Sequence, residues 1–164
     1  MFALAPQRRG ARRSSPMTTA HAPLFTSALD PAPAPAVDDR SAAGVPRTVL
    51  RVEGAVALAA ATVAYAHVGL GWGWFAALFL VPDLSLLGYL VDRRVGAIAY
   101  NAGHSTVGPA LLAAVALVTG RAGLLPVALI WVAHIGFDRM LGYGLKYATA
   151  FGATHLGRVG RRAA

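Results

Sequence analysis

Long apolar runs dominate the chain from Thr48 onward, rather than amphipathic stripes. Four of these runs approach the roughly 20 residues that an α-helix needs to cross the hydrocarbon of a bilayer. An open sheet would leave edge amides unpaired in lipid, and the runs lack the alternation of barrel strands. The pattern therefore predicts an all-α fold, a four-helix transmembrane bundle with spans over 49–67, 72–91, 95–118 and 122–145.

The N-terminal region has a different pattern. Arginines, serines and a Pro/Ala stretch follow one another without a periodic apolar face, which predicts a disordered tail over 1–46 ahead of an integral membrane domain over 47–160. No apolar segment of signal-peptide length follows the arginines, which argues against a secretory signal. Met17 is an alternative translation start.

Composition narrows the class of protein. Hydrophobic residues make up 56% of the chain and charged residues 13%, which is too apolar for an ordinary soluble domain. The net charge of +8 comes mainly from Lys and Arg in the two tails and one loop, so we expect membrane lipids as partners and no nucleic acid. There are no cysteines, which excludes disulfides, thiolate metal sites and cysteine nucleophiles.

The basic residues also predict an orientation. Only Arg121 flanks the spans on one side of the membrane. Because cytoplasmic flanks carry the excess of Lys and Arg, we expect a multi-pass protein of the cell inner membrane with both termini cytoplasmic. On the other side lie Arg40, Arg47, Arg51, Arg93, Arg94, Lys146, Arg158, Arg161 and Arg162.

Four ionisable residues interrupt the apolar runs: Asp83, His104, His134 and Asp138. An Asp at the centre of a membrane helix costs roughly 2.5–3.5 kcal/mol on the insertion scale, so such residues need partners or a task. A helical rise of about 1.5 Å per residue places all four roughly 12–18 Å from the cytoplasmic edge. We therefore predict that three helices bring them into one polar layer.

The spacing of these residues suggests a metal site. His134 and Asp138 are four residues apart and share a helix face. Two imidazoles and two carboxylates from facing helices form a ligand set for one divalent metal, Zn²⁺, Mn²⁺ or Fe²⁺. Tyr100, Asn101 and Ser105 could support the ligands. The HxxxD spacing alone is common by chance, so the motif is not specific.

Two other interpretations remain open. Asp83 and Arg139 could form an intramembrane ion pair while the histidines bond hydroxyls or carbonyls, which would make the polar residues a structural network. Alternatively, the Asp and His residues could titrate along a proton or solute path. Small residues such as Ala57 and Ala61 also leave homo-oligomerisation open.

Two further residues are candidates for acid and base roles. Glu53 lies at a shallower depth in the first span, and His155 follows the last span close to Arg158. Either could act as the base of a hydrolytic reaction, and Arg158 could hold a phosphate. The alternative for the C-terminal segment is an amphipathic stretch anchored at the membrane interface.

Several strings resemble a known family. The region from about 50 to 160 is similar to the domain of unknown function 4260 family of small bacterial integral membrane proteins, which implies a membrane location and no particular chemistry. The N-terminal extension departs from the usual short form. The strings are RVEG (51–54), VPDLSLLGYL (81–90), RVGAIAYNAGHSTVGP (94–109), HIGFDRMLGYGLKY (134–147) and THLGRVG (154–160).

A more distant pattern is similar to the membrane-bound metal-dependent hydrolases. That resemblance implies metal ligands at Asp83, His104, His134 and Asp138, although Ser85 and Gly103 replace an aspartate and a threonine that are usual there. Together with the spacing, it leads us to expect a metal that lowers the pKa of water, with Glu53 or His155 as base, for hydrolysis of a lipid-like or phosphorylated substrate. A noncatalytic transporter or structural component is the alternative.

Overall fold

The computed structural model describes residues 41–68 and 71–158. This part of the chain forms helices that follow one another and a short antiparallel hairpin at its end. The helical bundle predicted from the sequence is confirmed. The elements are α1 (Gly44–Val68), α2 (Trp72–Phe79), a 3₁₀ helix (Val81–Leu90), α3 (Arg93–His104), α4 (Val107–Thr119), α5 (Leu124–Leu141), β1 (Ala153–Thr154) and β2 (Gly157–Arg158).

The predicted N-terminal tail lies almost wholly outside the described residues. Of its last six residues, 41–46, the structure places Gly44–Pro46 in the first turn of α1. The predicted boundary at residue 46 thus falls one turn inside a helix, and the tail itself stays a prediction.

The helices have the length and apolar character of membrane spans. Among the described residues, three segments qualify. They are α1, α5 and the stretch Trp72–Leu90, which contains both α2 and the 3₁₀ helix. Helices α3 and α4 qualify together as a fourth, broken span whose two halves differ in direction by 41°. Large apolar side chains such as Leu90 and Val118 are more than 80% exposed, which suits contact with lipid. The length and composition of the helices are those of a membrane protein, with three candidate spans among the described residues, or four if the bent pair counts as one.

The predicted second and third spans are broken rather than continuous, and a proline explains each break. A proline ring clashes with the carbonyl four residues earlier and donates no hydrogen bond. Pro82 would collide with the carbonyl of Leu78 in an α-helix, and α2 ends at Phe79. Pro109 acts in the same way on Ser105, which has an extended backbone between α3 and α4.

The 3₁₀ helix has a sequence that suits three residues per turn. Residues i and i+3 lie on the same side of such a helix. Leu84, Leu87 and Leu90 form one exposed side, which faces outward from the bundle. Small residues at 82, 85 and 88 form a second side against α3, and the third side carries Asp83 and Tyr89. The ten-residue length of this helix is unusual for 3₁₀ geometry and keeps Asp83 on the protein-facing surface.

Helices α1 and α5 pack closely along their length. At their contact, a Cβ added to Gly54 would lie 2.7 Å from the Arg139 Cβ, and one added to Gly136 would lie 2.6 Å from the Leu58 amide nitrogen. Small residues allow such approach between membrane helices. Ala61, predicted as part of a possible dimer face, is buried at 4% exposure within the chain.

The fourth predicted span ends earlier than expected, at Leu141 rather than residue 145. Gly142 adopts a left-handed backbone with φ 95°, and its amide bonds the Arg139 carbonyl, which terminates α5. The chain then turns back over this end of the bundle as β1 and β2, where Leu156 is fully buried. This folded hairpin replaces the amphipathic surface segment considered above.

Candidate metal centre

Three helices bring the four predicted ligands together. Asp83 lies in the first turn of the 3₁₀ helix, His104 is the last residue of α3, and His134 and Asp138 lie one turn apart on α5. One ligand atom from each residue falls within 4.8 Å of all the others. The predicted polar layer therefore forms a single compact group.

The distances within this group suit one small ion. The two histidine Nε2 atoms lie 3.1 Å apart, and the distances from these atoms to the carboxylate oxygens of Asp83 and Asp138 range from 3.4 to 3.9 Å. A tetrahedral zinc ion with ligands at about 2.0–2.1 Å separates its ligand atoms by about 3.3 Å. The five distances that involve a histidine nitrogen are thus close to this length, and all four ligand atoms lie within 4.8 Å of one another.

A backbone hydrogen bond sets the tautomer of His104. Its Nδ1 lies 2.8 Å from the carbonyl oxygen of Tyr100, and because a carbonyl can only accept, this nitrogen carries the proton. The lone pair of Nε2 consequently points toward His134 and the two carboxylates. Histidines that bind metals are held by the same kind of bond from their outer nitrogen.

His134 is less completely paired. Its side chain is 2% exposed, and the ring of Phe79 meets it edge to face at 5.2 Å between centroids. Its Nδ1 is buried and has no hydrogen-bond partner in the described part of the chain. Packing, rather than a hydrogen bond from its outer nitrogen, therefore orients this ring toward His104.

Tyr100 supports two of the candidate ligands at once. Its hydroxyl donates to Asp138 Oδ2 at 3.0 Å. Its ring stacks on His104 with centroids 3.7 Å apart and planes 11° apart. The supporting role predicted for Tyr100 has this geometric basis, since a second set of contacts restricts the ligands.

The other two predicted supporting residues have local tasks. Asn101 accepts from the Lys146 amide and donates to the Lys146 carbonyl, at 2.7 and 2.9 Å, so it joins α3 to the segment after α5. The Ser105 hydroxyl accepts from the amide of Val107 at 3.2 Å, at the start of α4. Neither contact involves a candidate ligand.

No Lys or Arg forms an ion pair with this group among the described residues, although the Lys146 ammonium is close enough for both carboxylates to raise its pKa. Asp83 and Asp138 lie close together, and within residues 41–68 and 71–158 neither forms an ion pair with Lys or Arg. The Asp83–Arg139 ion pair that the structural-network interpretation included is absent from the described residues, so that part of the interpretation was wrong. Two adjacent carboxylates in a low-dielectric region are costly without positive charge.

The group opens to its surroundings mainly at Asp83. The side chains of His104 and His134 are 3% and 2% exposed, that of Asp138 is 16% exposed, and that of Asp83 is 42% exposed. Toward the end where α5 terminates, Tyr143 and Leu145 help to close a very small cavity beside Asp138. The group is therefore most accessible on the side of the 3₁₀ helix.

The two predicted acid and base residues stand outside this group. Glu53 is exposed on α1, and it does not belong to the set of four. His155 folds back under the bundle, where its Nδ1 accepts from the Leu145 amide at 2.8 Å. Burial lowers the pKa of His155, and the Arg139 cation lowers it further. The catalytic roles of both residues stay predictions.

Lys146 has a position that sequence reasoning missed. The sequence pattern places Lys146 among the basic residues at the cytoplasmic membrane surface, but in the structure Lys146 is only 8% exposed. Its ammonium lies over the rings of Phe151, Tyr100 and Tyr89, at 3.6, 4.3 and 5.1 Å from the centroids. Burial lowers the pKa of Lys146, and the charges of Asp138 and Asp83 oppose that shift. The aromatic residues come from three separate segments, so no local motif announces the contact.

Comparisons with known proteins identify a family. The family model described as "Domain of unknown function (DUF4260)" matches residues 47–159, well over half of the chain. No curated protein and no solved structure matches the chain. The distant similarity to membrane-bound metal-dependent hydrolases is not shown by these comparisons. The chain belongs to the DUF4260 family, as its sequence strings indicated.

Proposed function

We propose that Asp83, His104, His134 and Asp138 bind one divalent metal ion, Zn²⁺, Mn²⁺ or Fe²⁺. The observation that carries this proposal is the close spacing of two imidazole nitrogens and two carboxylate oxygens that form no ion pair with Lys or Arg among the described residues. A charge of two plus on the ion would offset the two carboxylates, and nitrogen and oxygen ligands suit these three metals.

The proposed activity is hydrolysis of a lipid-like or phosphorylated substrate in the membrane. When bound, the ion supplies Lewis acidity, which lowers the pKa of water and polarises an ester or phosphoryl oxygen. The water oxygen then bonds to the ester carbon or to phosphorus, the bond to the leaving oxygen breaks, and the leaving oxygen takes up a proton. The exposed side of Asp83 is where substrate would reach the site.

The chain itself would position the reactants. Tyr100 holds Asp138 through its hydroxyl and the ring of His104 through stacking, so both ligands stay in place as substrate enters. The general base is assigned to Glu53 or His155 on sequence grounds. The bond to the Leu145 amide occupies the Nδ1 lone pair of His155, which favours Glu53 of the two.

The proposed setting is the cell inner membrane, with both ends of the chain on the cytoplasmic side. The arginine distribution supports this orientation, because Arg121 stands apart between α4 and α5. Membrane lipids are the expected partners, since the outward sides of the helices are apolar.

The test is metal analysis of protein purified in detergent from metal-replete cells. We expect about one ion per chain in the wild type and near-complete loss in Asp83→Ala and His134→Ala. His67→Ala is the matched control, because His67 is exposed near the end of α1 and outside the group of four. A folded wild type without metal would contradict the proposal.

A noncatalytic membrane component is the second candidate. The close approach of the two Nε2 atoms favours it, because a hydrogen bond from His134 to the His104 lone pair could hold the network without an ion. In that case Asp83→Asn should lower thermal stability in a protein that never contained metal. For a transporter, the same substitution would abolish substrate or proton flux in liposomes while folding is retained.

A further inference from the structure

An apolar cavity of about 360 Å³ lies beside the candidate metal centre. Its volume falls within the roughly 300–1,000 Å³ of typical small-molecule sites. Residues from five helices line it, including Leu78, Val81, Ser85, Leu112, Val127 and Trp131. The breaks at Pro82 and Ser105 lie where the second and third spans surround it, so the cavity depends on the irregular course of both spans.

Two residues that line the cavity are sequence neighbours of candidate ligands. Pro82 and Gly103 line it, and each directly precedes a ligand, Asp83 or His104. A Cβ added to Gly103 would lie 3.2 Å from the Ser85 Oγ and 3.3 Å from the Pro82 carbonyl oxygen, so the lack of a side chain brings α3 close to the 3₁₀ helix here. The backbone at Pro82 and Gly103 thus forms part of the cavity wall and also carries the two candidate ligands that follow these residues.

The polar groups of the cavity are few. The Trp131 indole nitrogen already donates to the Gly103 carbonyl at 2.6 Å. The Ser85 Oγ is buried and has no hydrogen-bond partner among the described residues. An occupant therefore meets apolar side chains with a single free hydroxyl, which suits a hydrocarbon chain better than a sugar or a nucleotide.

We propose that this cavity holds one hydrocarbon chain of a membrane lipid whose polar head lies at the metal centre. The inference rests on the proposed metal-dependent function and specifies its substrate class. The outward neighbours Leu84 and Leu87 are about 60% exposed on the side of the 3₁₀ helix that would contact lipid. Val81 lines the cavity and is 48% exposed on that same side, so a chain would enter here from the bilayer and place its head beside the exposed carboxylate of Asp83.

The first test maps where lipid chains contact the wild-type protein. The protein is placed in nanodiscs that contain a phospholipid with a photoactivatable group on one acyl chain, and cross-linked peptides are identified by mass spectrometry. We expect labelling concentrated on the cavity residues Val81, Ser85 and Trp131. Labelling spread evenly over all exposed helix faces, or cross-links between two copies of the chain through the cavity, would overturn the proposal.

A pair of matched variants sharpens the test. Val127→Phe adds a ring at a half-buried cavity position, whereas Val118→Phe makes the same change at a position that is 86% exposed. Val127→Phe should reduce cavity labelling at least fivefold, while Val118→Phe should leave it at the wild-type level. Equal labelling of the two variants would contradict the proposal that the cavity binds a lipid acyl chain.

Metal content separates this inference from the proposed function. Val127 lies seven residues from His134, so Val127→Phe should keep its metal while it loses labelling. A wild type that binds metal without cavity labelling overturns only the substrate class. A wild type that shows cavity labelling without metal refutes the catalytic proposal and leaves a lipid-binding cavity.

Discussion

At the scale of single residues, Tyr100 connects two of the candidate ligands to Lys146. Its hydroxyl bonds Asp138, one face of its ring stacks on His104, and the Lys146 ammonium also lies over the ring. A side chain that restricts two ligands reduces the disorder they must lose when an ion binds. Tyr100 is therefore a positioning residue in this structure.

Tyr100→Phe isolates the hydroxyl from the ring. The variant keeps the stacking and the contact with Lys146 but loses the bond to Asp138. We expect metal affinity to fall about 10-fold to 100-fold, the usual effect of removing a supporting hydrogen bond from a metal ligand. Competition with a chelator of known affinity measures this change.

Tyr65→Phe is the control for that experiment. The Tyr65 hydroxyl donates to the Gly71 carbonyl at 2.7 Å, so this variant also loses one partly buried hydrogen bond, between α1 and the start of α2. It should lower thermal stability without weakening metal binding. Equal metal affinity in the two variants would show that Tyr100 does not position Asp138.

At the scale of elements, irregular helices create the site. His104 ends α3 because the chain breaks before Pro109, and Asp83 faces inward because the segment after Pro82 is a 3₁₀ helix. A regular α-helix has 3.6 residues per turn, so Leu84, Leu87 and Leu90 would drift around it. The 3₁₀ geometry keeps these leucines outside and Asp83 inside.

The contact between α1 and α5 supports the other half of the site, since α5 carries His134 and Asp138. Gly54→Ala would place a methyl group 2.7 Å from the Arg139 Cβ and the Met140 amide nitrogen. We expect the free energy of unfolding to fall by about 1–3 kcal/mol, the usual cost of overpacking. Equilibrium unfolding in mixed detergent measures it.

Gly73→Ala is the matched substitution for this contact. A Cβ at Gly73 would meet nothing within 4 Å, and the residue lies in α2, where alanine favours helix more than glycine does. Its stability should equal or slightly exceed that of the wild type. If Gly54→Ala were as stable as Gly73→Ala, the helices would not be in close contact at that point.

At the scale of the whole molecule, one end of the bundle is closed by chain that follows the last span. The hairpin of β1 and β2 lies over the end of α5, and His155 bonds both backbone groups of Leu145. Arg51 from α1 donates to the Met140 carbonyl at the same end, at 2.8 Å. Basic residues thus gather with the hairpin, which fits a cytoplasmic location for this end.

The proposed orientation is testable because the chain contains no cysteine. Ala122→Cys lies in the turn before α5, and Ala148→Cys lies in the segment before β1, and both positions are exposed. A membrane-impermeant maleimide added outside the inner membrane should label Ala122→Cys at once and Ala148→Cys only after permeabilisation. Reversed labelling would place the hairpin outside the cytoplasm.

Much of this molecule could be read from local sequence. The apolar runs determined the helical membrane fold, and the rare ionisable residues within those runs singled out all four members of the candidate metal group. Both conclusions depend on the same physical fact. A polar side chain in hydrocarbon has so high a free-energy cost that it is found where it has a partner or a function. Pro82 and Pro109 lie at the two irregular points of the helices, but the apolar runs there predicted continuous spans.

Only the tertiary structure decided how these residues meet. The close spacing of the four candidate ligands, the exposed side of Asp83, the burial of Lys146 and the cavity beside Trp131 all arise where segments distant in the chain come together. The depth of a residue follows from a count along one helix, whereas its neighbours depend on how that helix is rotated and packed against others. The hydrophobic pattern of the sequence therefore predicts the depth of a residue, whereas its neighbours are determined by side-chain contacts between helices.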